Sequence, residues 1–190
     1  LYQLFLTLLT LFMSIALLSV ITITSAYFYF EPELPEIDSL KNVQLLVPLR
    51  VYSADHKLLA EFGEIKREPV TYNEIPETLI QAVIAAEDES FFQHPGVDYK
   101  GLLRAVIHLI KTGTKGQGGS TITMQVARNF FLTRDKTYLR KINEIFLSLK
   151  IEKELTKQEI MALYMNKIYL GHRSYGVAAA AKVYYGKALS

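Results

Sequence analysis

The chain has no cysteine. A disulfide framework and a Cys-ligated zinc site are therefore excluded. Charge of one sign is also scarce: 21 Lys and Arg against 19 Asp and Glu leave a formal net charge of +2. That balance gives no footing for a nucleic-acid partner, and none is expected. Residues 1–30 contain no Asp, Glu, Lys, Arg or His. A helix rises about 1.5 Å per residue and a bilayer's hydrocarbon core is about 30 Å thick, so this stretch predicts a transmembrane anchor. It closes on Tyr27, Phe28, Tyr29 and Phe30, as an interfacial aromatic belt would. A cleaved signal is the competing reading, but the run is long and lacks a clear small-x-small site. The chain opens on Leu1 rather than Met, so further residues are expected before it.

What is present after residue 30 predicts a spacer and one domain. Residues 31–46 begin acidic and proline-rich (Glu31, Pro32, Glu33, Pro35, Glu36), which predicts an extended linker just outside the membrane. Residues 47–190 predict a mostly α domain with a short β-hairpin. The hairpin strands are expected at 47–52 and 58–62, around the turn-like Ser53, Ala54, Asp55, His56 and Lys57. Pro76 suits a first helical position, and Leu79, Ile80, Val83 and Ile84 mark one apolar face. Asp98 predicts the cap of a second helix, whose stripe of Leu102, Leu103, Val106, Ile107 and Ile110 reads as core. The same stripe also suits contact with a membrane surface. Four glycines in 112–119 predict a mobile loop. A third helix is expected from about Ser120 and a fourth over 137–155. Thr156 with Glu159 spells a capping box for a fifth, ended by Gly171, and a last helix covers about 176–185. There is no internal repeat.

The chemistry concentrates in one run: Glu87, Asp88, Glu89, Ser90, Phe91, Phe92, Gln93, His94, Pro95, Gly96, Val97, Asp98. Three carboxylates stand at the end of an apolar helix beside two phenylalanines. The negative end of a helix dipole and apolar neighbours both disfavour an ionised acid, so Glu87 is expected to hold its proton more tightly than usual. Such a group suits proton transfer near neutral pH. Cations follow at Arg128, Arg140 and Lys141, and the helix start after Gly118, Gly119 and Ser120 offers backbone N–H groups to an anion. Arg140 and Glu144 are four apart and share a helix face, which is also the spacing of an ordinary exposed ion pair.

Four motifs carry a resemblance. The acidic run resembles E-D-x-x-F-x-x-H-x-G through Glu87, Asp88, Phe91, His94 and Gly96. The segment from Gly118 to Asn129 resembles G-G-S-T-I-T-Q-Q, with Met124 for the first glutamine, which puts that amide in doubt; Gln125 matches the second. Arg140, Lys141 and Glu144 resemble R-K-x-x-E. Lys157 to Asn166 resembles K-x-E-I-L-x-x-Y-L-N with methionine for leucine twice. Together they resemble the family 51 peptidoglycan glycosyltransferases, the polymerising modules of class A penicillin-binding proteins. The pattern around Asn129, Phe130, Phe131 and Leu132 is most similar to the Gram-negative bifunctional members.

The resemblance implies a lysozyme-like fold and a substrate, lipid II, joined into β-1,4-linked glycan with inversion at the donor anomeric carbon and release of undecaprenyl pyrophosphate. It implies Glu87 as general base and Glu144 as second catalytic acid. It implies substrate-binding roles for Asp88, Phe91, His94, Ser120, Thr121, Gln125, Arg128, Arg140 and Lys141. No organic cofactor is implied; a divalent cation, magnesium or manganese, has room near Glu144 and the pyrophosphate, but no ligand cluster specifies it. Expected partners are lipid II, the growing glycan strand, the bilayer and other cell-wall synthesis proteins, at the periplasmic face of the inner membrane. No transpeptidase segment is expected within these residues, and more helices of the same domain are expected beyond them. Read from residues alone, His94 also suits a structural hydrogen bond, Asp98 a plain helix cap, and Asp88 an orienting role. A lysozyme-type hydrolase and a non-catalytic wall scaffold are the rival functions.

Overall fold

The structure, a computed structural model, describes residues 2–30, 34–41, 43, 45–114, 119–132 and 137–189. The side chains of residues 23, 26, 27, 29 and 30 are also outside that description, so of the expected aromatic belt only Phe28 is placed, and it is exposed. Contacts divide the chain into two units, residues 1–35 and 36–190.

The first unit is helix α1, Tyr2–Phe30. Its segment Tyr2–Thr22 has a mean hydropathy of 2.6 and is long and apolar enough to cross a membrane. Hydroxyls within it do not need water. Thr7, Thr10, Ser19 and Thr22 each donate to a carbonyl three or four residues back, at 2.8–2.9 Å. That satisfaction is what a hydrocarbon environment demands.

The second unit begins with a short helix α2, Asp38–Lys41. Strands β1, Leu49–Tyr52, and β2, Leu58–Phe62, pair antiparallel as the expected hairpin. Strand β3, Lys66–Arg67, instead pairs in parallel with β4, Ser174–Tyr175. This pairing brings the hairpin end of the domain against its C-terminal helix, and it has no signal in so short a stretch of sequence.

Six helices build the rest: α3, Glu77–Glu87; α4, Tyr99–Thr112; α5, Ile122–Phe131; α6, Tyr138–Glu154; α7, Lys157–Lys167; and α8, Val177–Tyr185. Pro76 is the N-cap of α3 rather than its first residue. Asp98, Thr121, Thr137 and Thr156 cap the next four with their side chains. Helix α7 ends at Lys167, earlier than the expected Gly171. The core lies where α5 packs on α6 and α7, through fully buried Ile122, Met124, Val126, Leu147, Ile151, Ile160, Met161 and Met165. Met124 has no exposure, so the residue that replaces the motif's first glutamine faces the core and removes nothing from a cleft.

Helix α4 departs from expectation. None of its residues is buried, and Leu103, Val106, Ile107 and Ile110 are 43–78% exposed. The stripe is an uncovered apolar face, not core. Periodicity shows that a face is apolar but not what covers it. Residues 115–118 of the expected glycine loop lie outside the described residues.

Candidate active site

The acidic run leaves α3 and is fixed at three points. Asp88 accepts from His94 Nε2 at 3.0 Å and from the backbone N–H of Ile122 at 3.0 Å. His94 Nδ1 accepts from Gly96 N–H at 3.1 Å, so its ring proton sits on Nε2, facing Asp88. Gly96 carries a φ of +93°, and a Cβ there would stand 2.7 Å from Ser148 O, so only glycine lets the run press onto α6. Thr121 Oγ1 closes the loop by donating to Gly96 O at 2.5 Å while accepting from Met124 N at 3.2 Å.

From below, Lys157 holds the same run. Its ammonium donates to His94 O at 2.8 Å and to Glu152 Oε1 at 2.7 Å, and stands 4.5 Å from the centre of the Phe91 ring. Asn166 pins the segment after β3 by exchanging hydrogen bonds with Val70, 2.9 Å to its N–H and 2.7 Å to its C=O. Two of the motifs read in sequence are thus joined by buried contacts.

Above this scaffold two clefts open. The first, about 800 Å³, is lined by Glu87, Asp88, Ser120, Thr121, Gln125 and Arg128, with Arg104 and His108 of α4 on its far wall. Glu87 is exposed there and accepts from Gln125 Nε2 at 2.8 Å. The apolar setting expected for Glu87 is absent: Phe91 is wholly buried beneath the run, and Phe92 packs edge-on against it at 5.1 Å. The carboxylate's neighbours are polar instead. The second cleft, about 560 Å³, is lined by Arg67, Arg128, Arg140 and Lys167 with Tyr169 and Tyr175. Arg128 belongs to both.

Several expected site residues stand away from the clefts or are held by other parts of the protein. Phe91 and His94 line neither cleft and are core and scaffold, because their contacts are spent within the protein. Thr121 lines the first cleft but is 2% exposed, with its hydroxyl committed to Gly96 O and Met124 N–H as the cap of α5. Ile122 N–H and Met124 N–H are taken by Asp88 and Thr121, so two of the N–H groups at the start of α5 are already paired. Asp88 acts by holding that helix start to the run.

Glu144 also lines neither cleft. Its side chain is 2% exposed, with one oxygen on Arg140 Nη1 and the other 2.9 Å from Lys141 Nζ. The pair at i, i+4 is therefore centred on a buried carboxylate, not a surface bridge, and Glu144 orients the two cations. Lys141 donates onward to Ser120 Oγ at 2.7 Å and fronts neither cleft. Among the described residues no group of three His, Cys, Asp or Glu could hold a metal. Glu144's oxygens already carry two cations, so a protein-held divalent ion does not fit there.

Sequence reading gave no role to Tyr164, the tyrosine of the fourth motif, and did not single out Arg67 or Lys167. Tyr164 is 1% exposed; burial first, then the nearby Glu87 charge, pushes its hydroxyl up to about 12. Burial, with Arg67's charge beside it, holds Lys167 below the ordinary lysine value. Arg67 and Lys167 read in sequence as unremarkable surface residues, and the β3–β4 pairing brings Arg67 near α7.

The penicillin-binding protein 1A of Pseudomonas aeruginosa is 55% identical over 88% of this chain and 20% of its own length. That of Escherichia coli is 52% identical over 87% of the chain and 20% of its own length. The chain thus spans about a fifth of the length of these curated relatives. A crystal structure of penicillin-binding protein 1A from Haemophilus influenzae matches 77% of this chain and 12% of that one at 28% identity, with a TM-score of 0.31, too low to argue from. A family model described as Transglycosylase matches residues 55–190, which include the acidic run, the first cleft and the buried Glu144 cluster, and the chain accordingly belongs to the transglycosylase family, the family 51 glycosyltransferases.

Proposed function

We propose that this chain polymerises lipid II into β-1,4-linked glycan at the outer face of a bacterial inner membrane, with α1 as its anchor. The observation that carries the reading is the paired clefts: an exposed carboxylate, Glu87, in one, cations in the next, and Arg128 on the wall between. Glu87 takes the proton of the acceptor's 4-hydroxyl as that oxygen attacks the donor's anomeric carbon. The bond from that carbon to the diphosphate oxygen breaks on the opposite side, which inverts the centre. Gln125 holds the base in position through its 2.8 Å hydrogen bond. Arg128 and Arg140 receive the charge of the departing diphosphate, a preorganised contribution of the kind that dominates such barriers. No step is routed through a metal.

The exposed face of α4 supports a bilayer partner, since Gly101, Arg104, Ala105 and His108 of that helix line the first cleft while its leucines and isoleucines face outward. A lipid-linked substrate then reaches Glu87 without leaving the membrane surface. Fluorescent lipid II added to the purified chain tests the whole reading. Polymer is the expected product; shortened fragments from preformed glycan indicate a hydrolase of lysozyme type, and no change with either substrate a scaffold.

A further inference from the structure

Two cations outside all four motifs face the second cleft, and neither has an ion-pair partner among the described residues. Arg67 is 6% exposed. Its guanidinium donates to Leu46 O at 3.2 Å and lies 5.2 Å over the Tyr175 ring, while its buried Nε has no acceptor. A buried guanidinium kept without a counter-charge is costly unless an anion completes it. Lys167 stands 4.4 Å from the centre of the Phe130 ring, crowded by Arg67. None of the described residues lining this cleft is acidic.

We propose that Arg67 and Lys167 are leaving-group residues: with Arg128 and Arg140 they hold the diphosphate of a lipid-linked sugar donor. This rests on the polymerase reading above. A diphosphate matches the cleft better than a single carboxylate, because it brings several oxygens and more than one negative charge to four cations. The shared wall at Arg128 sets this anion beside the Glu87 cleft, as an attack from the opposite side requires.

The test measures polymerisation of lipid II by the full chain in detergent micelles, with inorganic pyrophosphate and orthophosphate as competitors. Lys167→Gln raises KM for lipid II and the pyrophosphate inhibition constant about ten- to hundredfold, the scale of one charged hydrogen bond, and Lys167→Arg restores both. Arg67→Gln behaves alike, and Arg67→Lys serves if the glutamine variant does not fold. Unchanged KM and unchanged pyrophosphate inhibition in folded Lys167→Gln overturn the proposal. Orthophosphate competing as well as pyrophosphate also overturns it, since a simple anion site would suffice. Calorimetric titration of pyrophosphate without lipid II reads the cleft separately. Equal binding by wild type and Lys167→Gln sinks this assignment even if polymer forms, and weaker binding by the variant sustains the diphosphate site even if no polymer forms.

Discussion

Gln125 Nε2 donates a 2.8 Å hydrogen bond to Glu87 Oε2 across 38 residues of chain, tying the second motif to the first at the mouth of the larger cleft. Glu87 is exposed and has no buried network of its own, so Glu87→Gln changes chemistry with little change in stability. Polymerisation by Glu87→Gln is expected to fall by about 10²–10⁴. Asp88→Asn behaves in the opposite way, losing stability because Asp88 is buried and holds His94 and Ile122. Rate assays paired with thermal melts separate the two; near wild-type polymer from Glu87→Gln would falsify the base assignment.

Arg128 is the cleaner test of leaving-group stabilisation. It lines both clefts and makes no ion pair among the described residues, so Arg128→Ala is expected to fold normally and lose about a hundredfold in turnover. Arg140→Ala confounds the two effects, since Arg140 is a partner of buried Glu144. Glu144→Gln is expected to cost about 3–5 kcal/mol of stability, because it leaves Arg140 and Lys141 without their shared carboxylate. Chemical denaturation of the three variants checks this order. A Glu144→Gln chain as stable as wild type removes the orienting role given to Glu144.

Caps and motifs were legible in sequence because their chemistry is local. Asp98 and the Thr156–Glu159 pair cap where expected, each acting within three residues along the chain. Burial was not legible. The stripes of α4 and α5 are similarly periodic, yet it is α5 that is buried, against α6 and α7. Likewise the spacing of Arg140 and Glu144 is the same in a surface bridge and in a buried cluster. Arg67 and Lys167 lie 100 residues apart, and their meeting depends on the parallel pairing of two-residue strands.

The exposed face of α4 predicts a second membrane contact besides α1. Removing residues 1–35, which form a separate unit, should weaken but not abolish liposome binding. Replacing Leu103 and Ile110 by Asp in that shortened form should then release it, because these side chains are 62% and 78% exposed. Flotation with anionic and neutral liposomes reads both steps. Equal flotation before and after the double replacement would leave α4 without a membrane role.

Acid should loosen α7 through its capping box. Glu159 Oε2 accepts from Thr156 N–H and Thr156 Oγ1, both at 2.7 Å, and the backbone bond first, then the hydroxyl, holds its carboxyl below the usual value of 4.5. A carboxyl whose pKa is lower folded than unfolded binds fewer protons in the native state. Its contribution is therefore whole above about 4.5, the unfolded value, and is lost as pH falls through the lower folded value. Glu159→Gln removes that dependence and flattens the acid limb of the stability curve. Thr156→Ala removes the other half of the box and costs about 1 kcal/mol at neutral pH. Since α7 carries Lys157, which holds the Phe91–His94 run, loss of the box should also lower polymerisation as pH drops. Denaturation curves at pH 7 and below pH 4 decide the matter: if wild type and Glu159→Gln lose stability in parallel on acidification, the cap carries none of the acid sensitivity.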